Sequence, residues 1–164
     1  MPLYTARLLL RPFRADDVAD ALEYRNDPEF AKFLPHIPQP FTRSDAEAFV
    51  AQNVAEPWGR LPTFAVVESG RVIGTVNLGI EEQGRRAMLG YAIARAHWGR
   101  GIAVEAASAV VAWAFDVHGL VEVWASTSPL HARSRRVMEK LGMVRGPDRG
   151  DEVCYVLRPS SSTE

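Results

Sequence analysis

Tyr91-Ala92-Ile93-Ala94-Arg95-Ala96-His97-Trp98-Gly99-Arg100-Gly101-Ile102-Ala103 carries the chain out of an alternating apolar segment and around a turn punctuated by two glycines. It ends in a stretch whose apolar period changes from two to about 3.6. Beyond it, Ala103, Ala107, Val110, Ala114 and Val117 form one stripe and Gly119 supplies a stop, which predicts the longest helix of the chain. A helix start leaves backbone N–H groups unpaired and carries partial positive charge, so glycines that let a ligand approach turn it into an anion site that a pyrophosphate would fit. A Gly-x-Gly before a helix also serves as an ordinary tight turn, and spacing alone leaves both readings open. Two nucleotide readings are excluded: no Gly-Lys-Ser/Thr follows, as a P-loop requires, and the G-x-G-x-x-G dinucleotide fingerprint is absent.

Upstream, Phe64 to Val67, a Ser69-Gly70 turn, Val72 to Leu78, a turn near Gly84 and Met88 to Ala94 predict three strands in an antiparallel meander. Farther back, Arg7 to Phe13 reads as a strand with Leu8 and Leu10 on one side, Leu9 on the other and Pro12 at its end. Asp16 and Asp17 suit a helix N-terminus, and Val18, Ala21 and Leu22 give that helix its stripe as far as Asn26 to Pro28. Pro35, Pro38 and Pro40 exclude regular structure from Leu34 to Phe41, after which Thr42 can cap a second helix with Ala46, Phe49, Val50 and Val54 inward. Downstream lie a strand at Val121 to Ala125, a helix at Ala132 to Leu141 with Val137, Met138 and Leu141 inward, and a last strand at Val153 to Leu157; one more short strand near Met143 is allowed. The order βααβββαβαβ predicts a mixed α/β sheet, antiparallel early and parallel around the long helix.

A chain of 164 residues, 47% apolar, can bury one good core, so one domain over residues 1–164 is expected, folded over about 3–158 with a frayed tail at 159–164. The net charge of −1, with 24% charged residues of both signs, gives no general attraction to nucleic acid or to an anionic membrane. Cys154 is alone and cannot form an internal disulfide, and the opening MPLYTARLLLRPF lacks the features of an export signal, so a reducing cytoplasm is the expected location. No window approaches the roughly 18 uninterrupted apolar residues that cross a bilayer. His36, His97, His118 and His131 are scattered without ligand spacing, and no metal is expected.

Trp98 to Ala103 resembles the acetyl-CoA signature of the GNAT superfamily, Gln/Arg-x-x-Gly-x-Gly/Ala at a strand-to-helix turn, matching at Gly101 and Ala103. Trp98 stands where Gln or Arg is usual, as in the Tyr-Trp-Gly-Lys-Gly-like turns of the RimJ/RimL-like branch, which is similar to ribosomal-protein N-terminal acetyltransferases. Thr5 to Phe13, Val104-Glu105-Ala106 and Ser134 to Met143 resemble the same branch, so the likeness covers almost the whole chain. It implies a GNAT-type fold: a mixed, mostly antiparallel sheet flanked by helices, with a splayed parallel strand pair, here Met88 to Ala94 and Val121 to Ala125, holding acetyl-CoA as donor. By resemblance, backbone groups of Ile93, Ala94 and Arg95 contact pantetheine. Gly99, Arg100, Gly101, Ile102 and Ala103 hold the pyrophosphate, and Trp98, His131 and Arg133 complete the contacts.

Acetyl transfer needs a neutral amine, a stabilised oxyanion and a proton for the departing thiolate. An α-amino group titrates near about 7.7 to 8, so its base need only collect a proton, whereas a lysine near about 10.4 demands a stronger one. The tyrosine that donates to the thiolate in many relatives aligns with Met138, which cannot donate. The branch's Asn-x-x-Ser motif is matched in His131-Ala132-Arg133-Ser134 only at Ser134, which is taken as the donor; an inward small residue is the other reading. Base candidates are Asp151 and Glu152, with Glu81 and Glu82 as alternatives; for each, a solvated loop carboxylate is the commoner reading of such a residue. Arg133, Arg135, Arg136 and Lys140 can meet the adenosine phosphates or form a solvent face. Cys154 reads as a small buried residue. The acceptor pocket is expected around Leu34 to Phe41, the first two helices and Glu56 to Pro62, with Phe33, Phe41 and Trp58 lining it or packing in the core. The acceptor is a protein or peptide N-terminus; a small amine such as an antibiotic, polyamine or amino acid is the alternative, and a silent acyl-CoA-binding module is the alternative outside catalysis. Pairing of two copies is left open.

Overall fold

The alternation at Leu8-Leu9-Leu10 is realised with Leu8 and Leu10 buried and Leu9 half-buried on the opposite side. The computed structural model describes residues 2–56, 58–81, 83 and 85–160. Thus Glu82, Gly84 and most of the expected tail, residues 161–164, lie outside the described residues. The first regular strand is shorter than its pattern suggested. β1 (Leu3–Tyr4) and β2 (Leu9–Pro12) form a small hairpin, closed by Thr5 N–H on Leu8 O at 2.9 Å and Leu8 N–H on Thr5 Oγ1 at 3.0 Å. Arg7 belongs to that turn, which removes it from the strand.

β2 pairs antiparallel with β3 (Thr63–Glu68), β3 with β4 (Arg71–Ile80) and β4 with β5 (Arg86–Ile93). The predicted Ser69-Gly70 turn joins β3 to β4 with both residues at positive φ, the two-residue geometry whose twist matches the flanking strands. After α4 (Ile102–His118) the chain returns as β6 (Glu122–Thr127), parallel to β5, and α5 (Ala132–Lys140) leads to the edge strand β7 (Val144–Arg145) and then β8 (Val153–Leu157), inserted antiparallel beside β6. Among the described residues the sheet has eight strands in the order β1-β2-β3-β4-β5-β6-β8-β7.

Val72, Ile73, Val76 and Leu78 of β4 are buried on both faces, because α1 (Val18–Arg25) and α4 both pack on that strand. A short α2 (Pro28–Ala31) follows α1, started by Asp27 accepting from Glu29 N–H and by Pro28 at the first turn. Thr42 caps α3 (Arg43–Ala55) in a reciprocal box with Asp45. Ala46 and Val50 face inward, but Val54 and Val117, expected inside, are 52% and 62% exposed. Both sit in the last turn of their helices, where the periodic pattern continues and the packing surface does not. Arg11 and Asp17, both buried, form a two-pronged pair at 2.9 Å that fastens β2 to the start of α1. Among the described residues no helix is long and apolar enough to cross a membrane.

Candidate active site

β5 and β6 stay in register for only three residue pairs, Arg86↔Glu122, Ala87↔Val123 and Met88↔Trp124. Past Met88, β5 goes on pairing with β4 as far as Ile93, and β6 goes on pairing with β8 as far as Thr127. From Leu89 onward the facing edges of β5 and β6 therefore carry no strand between them, which leaves a wedge that an extended chain with amide groups can enter as an added strand. Two residues below its apex Glu122 receives Arg86 at 2.5 Å and Arg158 at 2.8 Å.

The wedge opens into a cavity of about 280 Å³ that runs along β5, past the Trp98–Ala103 bend and under α5. Gly99 and Gly101 lie at φ 79° and 75°, a conformation that side chains with a Cβ rarely adopt. Gly101 is the N-cap of the 17-residue α4, and no side chain caps that end. Its first amides thus face the cavity without a capping acceptor, beside Arg133, Arg136 and Lys140 of α5. Among the described residues no carboxylate pairs with these three cations, whereas Arg95 and Arg100 are taken by Asp27 and Glu68. The Arg133 guanidinium lies 3.4 Å from the centre of the Trp98 ring, and burial together with Arg136 lowers its proton affinity. Trp98 is itself anchored, its indole N–H donating to the Ile93 carbonyl at 2.7 Å.

On the opposite wall Ser134 is 7% exposed and meets Tyr91 from β5. The Tyr91 hydroxyl donates to the Ser134 carbonyl at 3.0 Å and lies 2.9 Å from Ser134 Oγ, where either hydroxyl can be the donor. Burial pushes the Tyr91 phenol up to about 12, against the smaller opposing effect of the Ser134 bond, so it stays protonated at neutral pH. His131 begins α5, with Nδ1 3.2 Å from Thr127 Oγ1 and its ring stacked on Phe33 at 4.2 Å between centroids. Its Nε2 is buried without a partner. Burial first, then Arg133 and Lys32, push His131 down to about 4, so the imidazole is neutral near pH 7.

Residues 7–144 match the family described as acetyltransferase (GNAT) domain. The chain belongs to the GNAT acetyltransferases. The uncharacterized N-acetyltransferase YnaD of Bacillus subtilis (strain 168) is 30% identical over 145 residues, 88% of this chain and 84% of YnaD. Among solved structures, a GNAT-family acetyltransferase from Bacillus anthracis superposes with a TM-score of 0.86 at 26% identity, over 96% of this chain and 98% of its own. A ribosomal-protein-S5-alanine acetyltransferase from Vibrio fischeri shares the fold with a TM-score of 0.83 at 19% identity, over 100% of both chains. This protein is thus an acyltransferase enzyme, an N-acetyltransferase, and GNAT acetyltransferases use acetyl-CoA. The donor's chemistry fits what is present: an uncapped helix start and unpaired cations for phosphates, an open strand edge for amides.

Of the residues the sequence singled out, the fold gathers Ile93, Trp98, Gly99, Gly101, Ile102, Ala103, His131, Arg133 and Ser134 around this one cavity of the acetyltransferase. Ala94 and Arg95 face a second hollow beside Asp27, and Arg100 is drawn to Glu68 and His97. Two backbone groups assigned to pantetheine are already engaged, Ile93 O by Trp98 and Ala94 N–H by Ile73 O at 2.7 Å. Asp151 and Glu152 are exposed and outside the cavity wall; Glu152 accepts from Ser126 Oγ at 2.9 Å, and Glu81 from the Trp124 indole at 3.1 Å. Arg135 turns away to the Pro129 carbonyl at 3.1 Å. Trp58 packs on Phe64 and Phe41 lies beside Arg25, while Phe30 and Leu34 line the cavity. Tyr91 is the wall residue that the sequence reading passed over. Its one signal is parity, since it alternates with Leu89 and Ile93 and brings a hydroxyl to a stretch read as apolar.

Proposed function

We propose that this acetyltransferase acts as a single domain of the RimJ/RimL-like branch and moves acetyl from acetyl-CoA to the α-amine of a protein or peptide N-terminus. The observation that carries the donor half is the uncapped start of α4 at Gly101, next to an open β5 edge and three unpaired cations. The amides of Ile102 and Ala103 receive the pyrophosphate, Arg133, Arg136 and Lys140 neutralise phosphate charge, and the edge of β5 past Met88 holds the pantetheine amides. Neutral His131, with Nε2 unpartnered, offers a hydrogen bond where the branch has asparagine. Ser134 Oγ protonates the leaving sulfur, and Glu152, steadied by Ser126, collects the amine proton at the mouth of β6.

The acceptor half is supported by the whole-length fold likeness to the Vibrio fischeri ribosomal-protein acetyltransferase and by the cavity wall, which among the described residues carries no carboxylate and so suits an α-amine better than a lysine. The test is thiol release from acetyl-CoA with peptides bearing free N-termini, the same peptides blocked at the N-terminus, and small amines. Turnover confined to free N-termini is expected. Turnover of small amines alone would refute the acceptor, and binding of acetyl-CoA without turnover of any amine would refute catalysis. Ser134→Ala should lower kcat more than tenfold with acetyl-CoA affinity within about twofold, since a proton donor acts in the transition state.

A further inference from the structure

The Tyr91–Ser134 contact spans the wedge. Tyr91 stands on β5 and Ser134 on α5, the helix that follows β6, so one pair of hydroxyls joins the two arms between which the thioester must lie. A phenol has a single hydrogen, and here it faces two acceptors, the Ser134 carbonyl at 3.0 Å and Ser134 Oγ at 2.9 Å. When the hydrogen goes to the carbonyl, Ser134 must donate back to Tyr91 Oη and its own proton points away from the cleft. When the hydrogen goes to Oγ, the serine proton is released toward the cavity. Met138, one turn farther along α5, is buried and can donate nothing, so the phenol that meets the serine comes from the strand.

We propose that Tyr91 is a positioning residue of the transfer step, which orients the Ser134 hydroxyl toward the departing sulfur and supports the serine oxygen as its proton leaves. The inference rests on Ser134 being the donor. As the amine nitrogen bonds to the acetyl carbon, the C–S bond breaks and its electron pair stays on sulfur. Sulfur takes the Ser134 Oγ proton while Tyr91 donates its own hydrogen bond, and then its proton, to the serine oxygen. Glu152 takes the proton lost by the amine and releases it to solvent, and a proton from solvent restores the phenol. Because the phenol is protonated at working pH, it enters the step with a proton to donate.

The experiment is a double-mutant cycle on kcat with Tyr91→Phe, Ser134→Ala and both, alongside acetyl-CoA affinity by calorimetry and the ring environment by near-ultraviolet circular dichroism. Phenylalanine keeps the ring and removes the hydroxyl. Tyr91→Phe should lower kcat about tenfold, the worth of one hydrogen bond, with affinity within about twofold. Its effect should vanish in the Ser134→Ala background, because the two act through one proton. Additive losses, or a Tyr91→Phe enzyme with unchanged kcat while Ser134→Ala is impaired, would overturn the role of Tyr91 alone. Unchanged kcat in Ser134→Ala would overturn the serine assignment and this inference with it. A Tyr91→Phe loss residing entirely in acetyl-CoA affinity would mark a packing role and overturn the proposal.

Discussion

Gly101 can be replaced in ways that separate backbone strain from charge. It holds φ 75° at the N-cap of α4, and a Cβ built there would come no nearer than 3.7 Å to Arg7 Nη2, an ordinary contact. Gly101→Ala therefore meets no clash and suffers only the left-handed backbone, about 1–2 kcal/mol. At about 2–4 °C per kcal/mol for a chain of this size, melting should fall by about 2–8 °C. Gly101→Glu adds a carboxylate at the helix start. One unit charge about 4 Å from one phosphate charge at an effective dielectric near 20 costs about 4 kcal/mol, roughly a thousandfold in affinity; the nearby Arg7 guanidinium makes this an upper figure. Calorimetry of acetyl-CoA binding to wild type, Gly101→Ala and Gly101→Glu should give a small loss for alanine and at least a hundredfold loss for glutamate. Raising the salt to about 1 M, where the screening length shrinks to about 3 Å, should restore part of the glutamate loss and none of the alanine loss. Equal affinity for the two variants would mean that no anion sits at this bend, and the donor site would have to be sought elsewhere.

Asp17→Ala should destabilise the fold by about 3–5 kcal/mol, because it strands the Arg11 guanidinium at 8% exposure without its two 2.9 Å contacts. An unfolding free energy from denaturant titration lowered by less than about 1 kcal/mol would deny that pair its anchoring role. For His131, the imidazole titrates at 6.5 when unfolded and at about 4 when folded. The unfolded chain thus binds the extra proton between those values, and stability should decline as pH falls through that interval. His131→Gln should flatten this part of the stability curve, and a slope that persists in the variant would assign it to other groups.

Element order was readable because each segment repeats its period long enough to be unambiguous. The three-strand meander, the long helix and the last strand all lie where alternation and the 3.6 spacing put them. Exposure of Val54 and Val117 was not readable, since a stripe says which side faces in and not where the neighbour ends. The bend at Gly99 and Gly101 was legible because an αL start to a helix demands glycine and leaves that mark in the sequence. The bonds at Ile93 O and Ala94 N–H were hidden, because they depend on a Trp98 side chain folding back and on the register of β4. Tyr91 was hidden for the same reason: its partner lies 43 residues away, and neither residue's local pattern points to the other.

The early parting of β5 and β6 has a thermodynamic corollary. An enzyme that had to peel two strands apart to admit a long, flexible donor would surrender ladder hydrogen bonds at every encounter. Here the seam is left unzipped when the chain folds, with Glu122 and its two arginines acting as the stop below the last closed tooth. With the donor placed as proposed, its entry adds backbone bonds without breaking any in that seam, so the reorganisation that binding ordinarily requires is made small in advance.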